Sequence, residues 1–133
     1  MAGLEKELNM NEEFQTEKIV VVLNNDDEQS VMAALVMSAA VAATGDEVLF
    51  FIQPGGAKIV KKGALEKYQN LKGQPDPVDL FDAIQVLDGR IILCELGLPV
   101  WDMKEEDLVD DVEVMMASTF LFEAEGAKMT FSY

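Results

Sequence analysis

The sequence predicts an α/β/α sandwich built on a mostly parallel, five-stranded sheet, and three observations carry that expectation. Apolar runs rich in β-branched and aromatic residues recur at Lys18–Leu23, Glu47–Ile52 and Arg90–Leu93. They lack the polar alternation of a strand with one wet face, so each reads as a strand buried on both sides, the kind found in parallel sheets. Helical stretches lie between them, as crossover connections require. Turn residues, among them Asn24–Asp27, Gly45, Gln53–Gly56 and Asp88–Gly89, mark each change of pattern.

In chain order, residues 1–17 read as a flexible or weakly helical arm. Leu4 and Leu8 would share a helical face, but Asn9 and Asn11 interrupt it. A single domain is expected over residues 18–133, which suits a chain of 133 residues. After the first strand, Asp27 supplies a helix cap and Glu28 an acidic first turn, for a helix ending near Thr44 before Gly45. The strand Glu47–Ile52 leads through a Gln53-Pro-Gly-Gly56 turn into a short helix over Ala57–Lys62. Residues 63–76 read as a loop, with at most a short helix near Leu65–Leu71. Asp76 and Pro77 open a helix to about Leu87. Arg90–Leu93 is a third strand with Cys94 directly after it. The remaining expectations are a helix over Lys104–Val109, a strand over Val112–Met115, a helix over Ser118–Glu125 closed by Gly126, and a last strand over Ala127–Tyr133.

Composition excludes several function classes. Half the residues are apolar, enough for a core, while 25 acidic against 10 basic residues give a net charge of -15. A field of that sign repels phosphate backbones and anionic lipid, so nucleic acid and membranes are not expected partners. There is no histidine, which removes Ser-His-Asp and Cys-His chemistry and imidazole metal sites. One cysteine, Cys94, rules out an intramolecular disulfide, a CxxC pair and a Cys-rich zinc site. Residues 1–18 have no apolar central run of the signal-peptide type. The longest near-apolar run, Val31–Ala43, falls short of the roughly 18 residues of a membrane span. A cytoplasmic protein with an unpaired thiol is expected.

Cys94 is the sharpest candidate for chemistry. Ligands of open parallel sheets bind beyond the carboxyl ends of strands, and Cys94 falls at that edge. The Gly-containing turn Glu95-Leu-Gly-Leu-Pro99 can aim backbone N–H groups at one point and stabilise a thiolate, a persulfide or a sulfur oxyanion. The alternative is a buried cysteine acting as a small hydrophobe. The negative charge of the chain disfavours a thiolate, so activation calls for backbone dipoles or a lysine. Lys58, Lys61 and Lys62 follow the second strand and either form a local positive rim or a solvated helix face. Gly55, Gly56 and Lys58 on that side, with Leu96, Gly97 and Trp101 after the cysteine, make the expected anion- or sulfur-species-binding set. For Gly55–Lys58 a plain strand-to-helix turn is the competing account, because the phosphate-loop spacing is absent. Seven acidic residues between Asp102 and Glu113 match no Ca²⁺ loop and read as a solvated face. The Val31–Ala43 helix is apolar almost all round, which fits either a subunit interface or a position within its own chain.

The stretch Cys94-Glu-Leu-Gly-Leu-Pro-Val-Trp-Asp-Met103, the acidic segment Lys104–Val114 and Ala117-Ser-Thr-Phe-Leu121 together resemble the DsrE/DsrF-like family. Gly45-Asp-Glu-Val-Leu-Phe-Phe51 and the Asn/Asp turn after the first strand agree with it. The resemblance implies a three-layer α/β/α fold and homo- or hetero-oligomers. It implies that Cys94 matches the cysteine on which several members carry persulfide or thiosulfonate sulfur, exchanged with TusA-like carrier proteins. A sulfur carrier or sulfurtransferase-like protein, needing no metal and no organic cofactor, is the leading expectation. A homo-oligomer is expected, with the Val31–Ala43 helix or the apolar C-terminal segment in the interface. The rival is a non-catalytic assembly or ligand-binding subunit in which Cys94 only packs, and the accessibility of its sulfur discriminates the two.

Overall fold

The Asp27 carboxylate accepts from the N–H groups of Gln29 and Ser30 at 3.1 and 3.4 Å and opens helix α1, Glu28–Ala43. The Asp76 carboxylate accepts from Val78 N–H at 2.8 Å and opens α2, Pro77–Val86, with Pro77 where no N–H is needed. Such caps fix where the helices begin relative to the strands β1 (Lys18–Leu23), β2 (Glu47–Ile52) and β3 (Arg90–Cys94). The chain continues through a short helix α3 (Gly97–Val100), strand β4 (Val112–Met115), helix α4 (Ala117–Glu123) and strand β5 (Met129–Ser132). The structure is a computed structural model and describes residues 16–133; the expected arm lies outside the described residues except for Thr16 and Glu17.

The five strands form one sheet in the order β4-β3-β2-β1-β5, and every neighbouring pair is parallel. Ile19, Val21, Leu23, Val48, Phe50, Ile52, Ile91 and Leu93 point to one face, where α1 and α2 cover them. Val20, Leu49, Phe51, Ile92 and Cys94 point to the other, where α4 contributes Phe120. The result is the three-layer α/β/α fold expected, with unequal outer layers. The strands read as continuous apolar runs because both faces exclude water.

Several local expectations change. The short helix expected over Ala57–Lys62 is a 3₁₀ helix that starts earlier, Pro54–Val60, while the short helix expected near Leu65–Leu71 is present as a 3₁₀ helix, Leu65–Tyr68. Only Glu105–Asp107 of the expected 104–109 helix is helical, and that as a 3₁₀ turn. The backbone of Leu108 and Val109 is drawn instead to the 60–61 segment: Lys61 bridges Leu108, and Val109 N–H donates to Val60 O at 2.9 Å. Helix α1 lies against both α2 and the sheet, which bury Val31, Met32, Leu35, Val41 and Ala42 within the chain itself, while Val36, Ala40 and Ala43 stay exposed. Exposed apolar side chains are spread over several elements, and α4 carries two of the most exposed, Leu121 at 70% and Phe122 at 79%.

Candidate functional site

The strands end together, so the loops after β1, β2, β3 and β4 meet along one edge of the sheet. Gln53 N–H donates to Leu23 O at 2.9 Å, Gly55 N–H to the Asn24 side-chain oxygen at 3.3 Å, and Glu95 N–H to Met115 O at 2.9 Å. Gly55 has no room for a side chain: a Cβ there would collide with the backbone carbonyl of Asn24. Gly97 is equally confined, since a Cβ would stand 2.7 Å from Ala57 Cβ and 3.1 Å from Leu93 Cδ1. Glycine therefore lets α3 pack directly on the 54–60 turn.

That packing brings most of the expected binding set together. Trp101, just past α3, donates its indole N–H to Pro54 O at 2.7 Å. The Lys58 ammonium lies 3.9 Å from the centre of the Trp101 ring, a cation–π contact. Gly55, Gly56, Lys58, Gly97 and Trp101 thus share one patch at the sheet edge. Leu96 stands out from it, 58% exposed.

Cys94 is the last residue of β3 rather than the first of the loop, paired in register with Met115 of β4. Its side chain belongs to the opposite face from that patch. It is 4% exposed and clusters with Phe51, Ile92 and Phe120, with Met115 packed alongside. The rings of Phe51 and Phe120 lie 3.9 Å apart and nearly parallel. Of the amides expected to turn toward the sulfur, that of Glu95 is committed to Met115 O. Beside this cluster runs an apolar cleft of about 350 Å³, lined by Val20, Val22, Phe51, Phe120, Leu121 and Ala124 among others.

Three features had no counterpart in the sequence reading. Arg90, at the start of β3, makes a two-pronged ion pair with Glu113 of β4 (2.9 and 2.8 Å) and a further one with Glu123 of α4 (3.0 Å). Hydrogen bonds from Arg90, reinforced by its charge and opposed by partial burial, hold the Glu113 carboxyl below its ordinary range. The Tyr68 hydroxyl donates to Asp26 O at 2.7 Å, and burial with the neighbouring Asp26, Glu28 and Asp27 pushes its phenol above the usual value. Lys67 joins Lys58 and Lys61 around a cleft with Trp101 and Met103, whereas Lys62 turns away to donate to Glu106 O at 2.9 Å. The signal for Lys67 was its position six residues after Lys61, twice the three-residue step from Lys58 to Lys61. Among the described residues no group of three or more Asp, Glu, Cys or His side chains is placed to hold a metal ion.

An all-parallel α/β/α domain with its unpaired cysteine at the carboxyl end of an inner strand defines the class. The model of the DsrE/DsrF-like family matches residues 17–122, and the chain belongs to that family, which connects it with sulfur-transfer-related function. Among solved structures it is similar to the ychN protein from E. coli, at 11% identity over 90% of this chain and 100% of that one, with a TM-score of 0.71. It is also similar to MTH1491, a protein of unknown function from Methanobacterium thermoautotrophicum, at 14% identity over 88% and 99% of the chains, with a TM-score of 0.70. At these identities the likeness is one of fold. No curated protein matches the chain.

Proposed function

We propose that this protein is a cytoplasmic sulfur carrier or sulfurtransferase-like protein that holds sulfane sulfur on Cys94. The observation supporting the reading is the position of the sole cysteine at the carboxyl end of inner strand β3 in a DsrE/DsrF-like chain. In the loading step the Cys94 thiolate attacks the outer sulfur of a donor persulfide. A new S–S bond forms on Cys94, the donor S–S bond breaks, and the donor leaves as a thiol after taking up a proton. No net oxidation occurs, so no electron acceptor is required. A second exchange passes the sulfur to a partner thiol, a TusA-like carrier being the proposed acceptor. No helix among the described residues is long and apolar enough to cross a membrane.

At 4% exposure the sulfur must be uncovered for exchange. Helix α4 is the element to move, because it has only seven residues and Phe120 is its one buried side chain. Short elements with few buried contacts open at low free-energy cost. Its outer side chains Leu121 and Phe122 are apolar and exposed, so a homo-oligomer or carrier docking there would couple binding to opening.

The same burial favours a second reading, an assembly subunit in which Cys94 only packs. Incubating the native protein with a small-molecule persulfide and weighing it by mass spectrometry separates the two. One added sulfur atom on the wild type, absent from Cys94→Ser, is expected. No adduct, together with no alkylation unless denaturant is present, would leave the assembly reading.

A further inference from the structure

The lysine series is built by backbone hydrogen bonds that repeat every three residues. Lys61 N–H donates to Lys58 O at 3.1 Å, Ala64 N–H to Lys61 O at 3.0 Å, and Lys67 N–H to Ala64 O at 3.2 Å. The two 3₁₀ turns, Pro54–Val60 and Leu65–Tyr68, are joined through an extended Lys61 and a left-handed Gly63, and the join brings Lys58, Lys61, Ala64 and Lys67 to one cleft. The cleft measures about 200 Å³ and is closed by Trp101 and Met103.

The cleft walls are held in place. Lys62 N–H donates to Asp107 O at 2.9 Å and Lys61 bridges Leu108, which tie the lysine turn to the following segment. Trp101 is pinned to Pro54 O, and its ring in turn holds the Lys58 ammonium. The only ion pairs among the described residues are those of Arg90. Among the described residues these three lysines pair with no carboxylate, and none lines their cleft, in a chain with a net charge of -15. Gathering like charges without partners is unfavourable, and a multiply charged anion would offset it.

We infer that Lys58, Lys61, Lys67 and Trp101 form a binding site for a small doubly charged oxyanion. The volume admits a tetrahedral oxyanion with a few waters. Lysine suits it as a mobile point charge rather than a planar fork. The site does not depend on Cys94, whose side chain lies on the other face of the sheet.

Trp101 is the sole tryptophan, so its fluorescence reports on the cleft directly. Phosphate, sulfate and thiosulfate are titrated separately into the full chain at constant ionic strength, with chloride as the control. A saturable change with at least one oxyanion, beyond the chloride response, is expected. The order among the three identifies a phosphorus or a sulfur source. Calorimetric titration should show affinity falling about two- to fivefold for each of Lys58→Gln, Lys61→Gln and Lys67→Gln, the scale of one exposed charge contact. The exposed lysines can be replaced without core changes, and an unchanged melting temperature verifies the fold. Cys94→Ser should bind as the wild type does, so failure of sulfur loading leaves this site standing. Responses equal to chloride, or full affinity in the Lys61→Gln/Lys67→Gln double variant, would overturn the assignment.

Discussion

Replacing Phe120 by alanine tests whether α4 both stabilises the thinner layer and covers the sulfur. Phe120 is 5% exposed, and an aromatic side chain of its size buries about 150–250 Å². Alanine retains part of that, so about 120 Å² of apolar contact is lost, worth about 3 kcal/mol at 25 cal/mol per Å². The near-parallel stack on Phe51 adds little, because ring quadrupoles favour offset or edge-on pairs. A short peripheral helix can also settle onto the sheet, which limits the cavity cost. At a urea dependence of about 2 kcal/mol per M, the denaturation midpoint should fall by about 1.5 M with an unchanged slope. If α4 gates Cys94, the same free energy raises native-state alkylation by up to about a hundredfold. Phe120→Leu, which keeps most of the cover, should show small changes in both. A stability loss below about 1 kcal/mol would refute the burial estimate. A full loss with unchanged alkylation would refute the gate.

The Arg90 network predicts the shape of the acid limb. Glu113 titrates below its ordinary 4.5 in the folded chain, so its contribution is present above that value and lost as pH falls through the lower native one. With the two carboxylates 43% and 42% exposed, Arg90→Gln should cost only about 1 kcal/mol near neutrality and flatten the decline below pH 4.5, read by denaturation at several pH values. Ser38 is fully buried in α1 and its hydroxyl has no hydrogen-bond partner. Ser38→Ala should therefore be neutral or stabilising by about 1 kcal/mol; a loss of that size in a thermal melt would show that the hydroxyl is satisfied.

The inner strands were legible because a strand buried on both faces carries its own signal, as Val20–Val22 and Leu49–Ile52 do. Helices α1 and α2 were legible from Asp27, Asp76 and Pro77. Whether α1 met its own chain or another was not, because a helix apolar all round looks the same in both cases. The Lys104–Val109 stretch misled for a different reason. Its composition suits a helix, but a long-range bridge from Leu108 to Lys61 claims the backbone. The patch of Gly55, Lys58, Gly97 and Trp101 followed from loops on neighbouring strands. The facing of Cys94 did not: alternation assigns it to the side of Ile92, yet only the placement of α4 decides what covers that side. The lysine cleft was half legible, since Lys58 and Lys61 stood out while Lys67 was hidden in a segment read as loop.

The placement of β5 beside β1 bears on how the chain is made. Ile19 lies opposite Met129, and the Lys18 ammonium donates to Glu123 O across 105 residues of chain. During synthesis β1, α1, β2 and β3 leave the ribosome well before β5 does. One side of β1, rich in valine, then waits with its peptide groups facing water instead of a partner strand. An open parallel edge of that kind is a template for strands of other nascent chains. Closing it demands a contact of very large sequence separation, which slows folding. The interval between emergence of β1 and docking of β5 is thus the period in which that edge stands open to other strands.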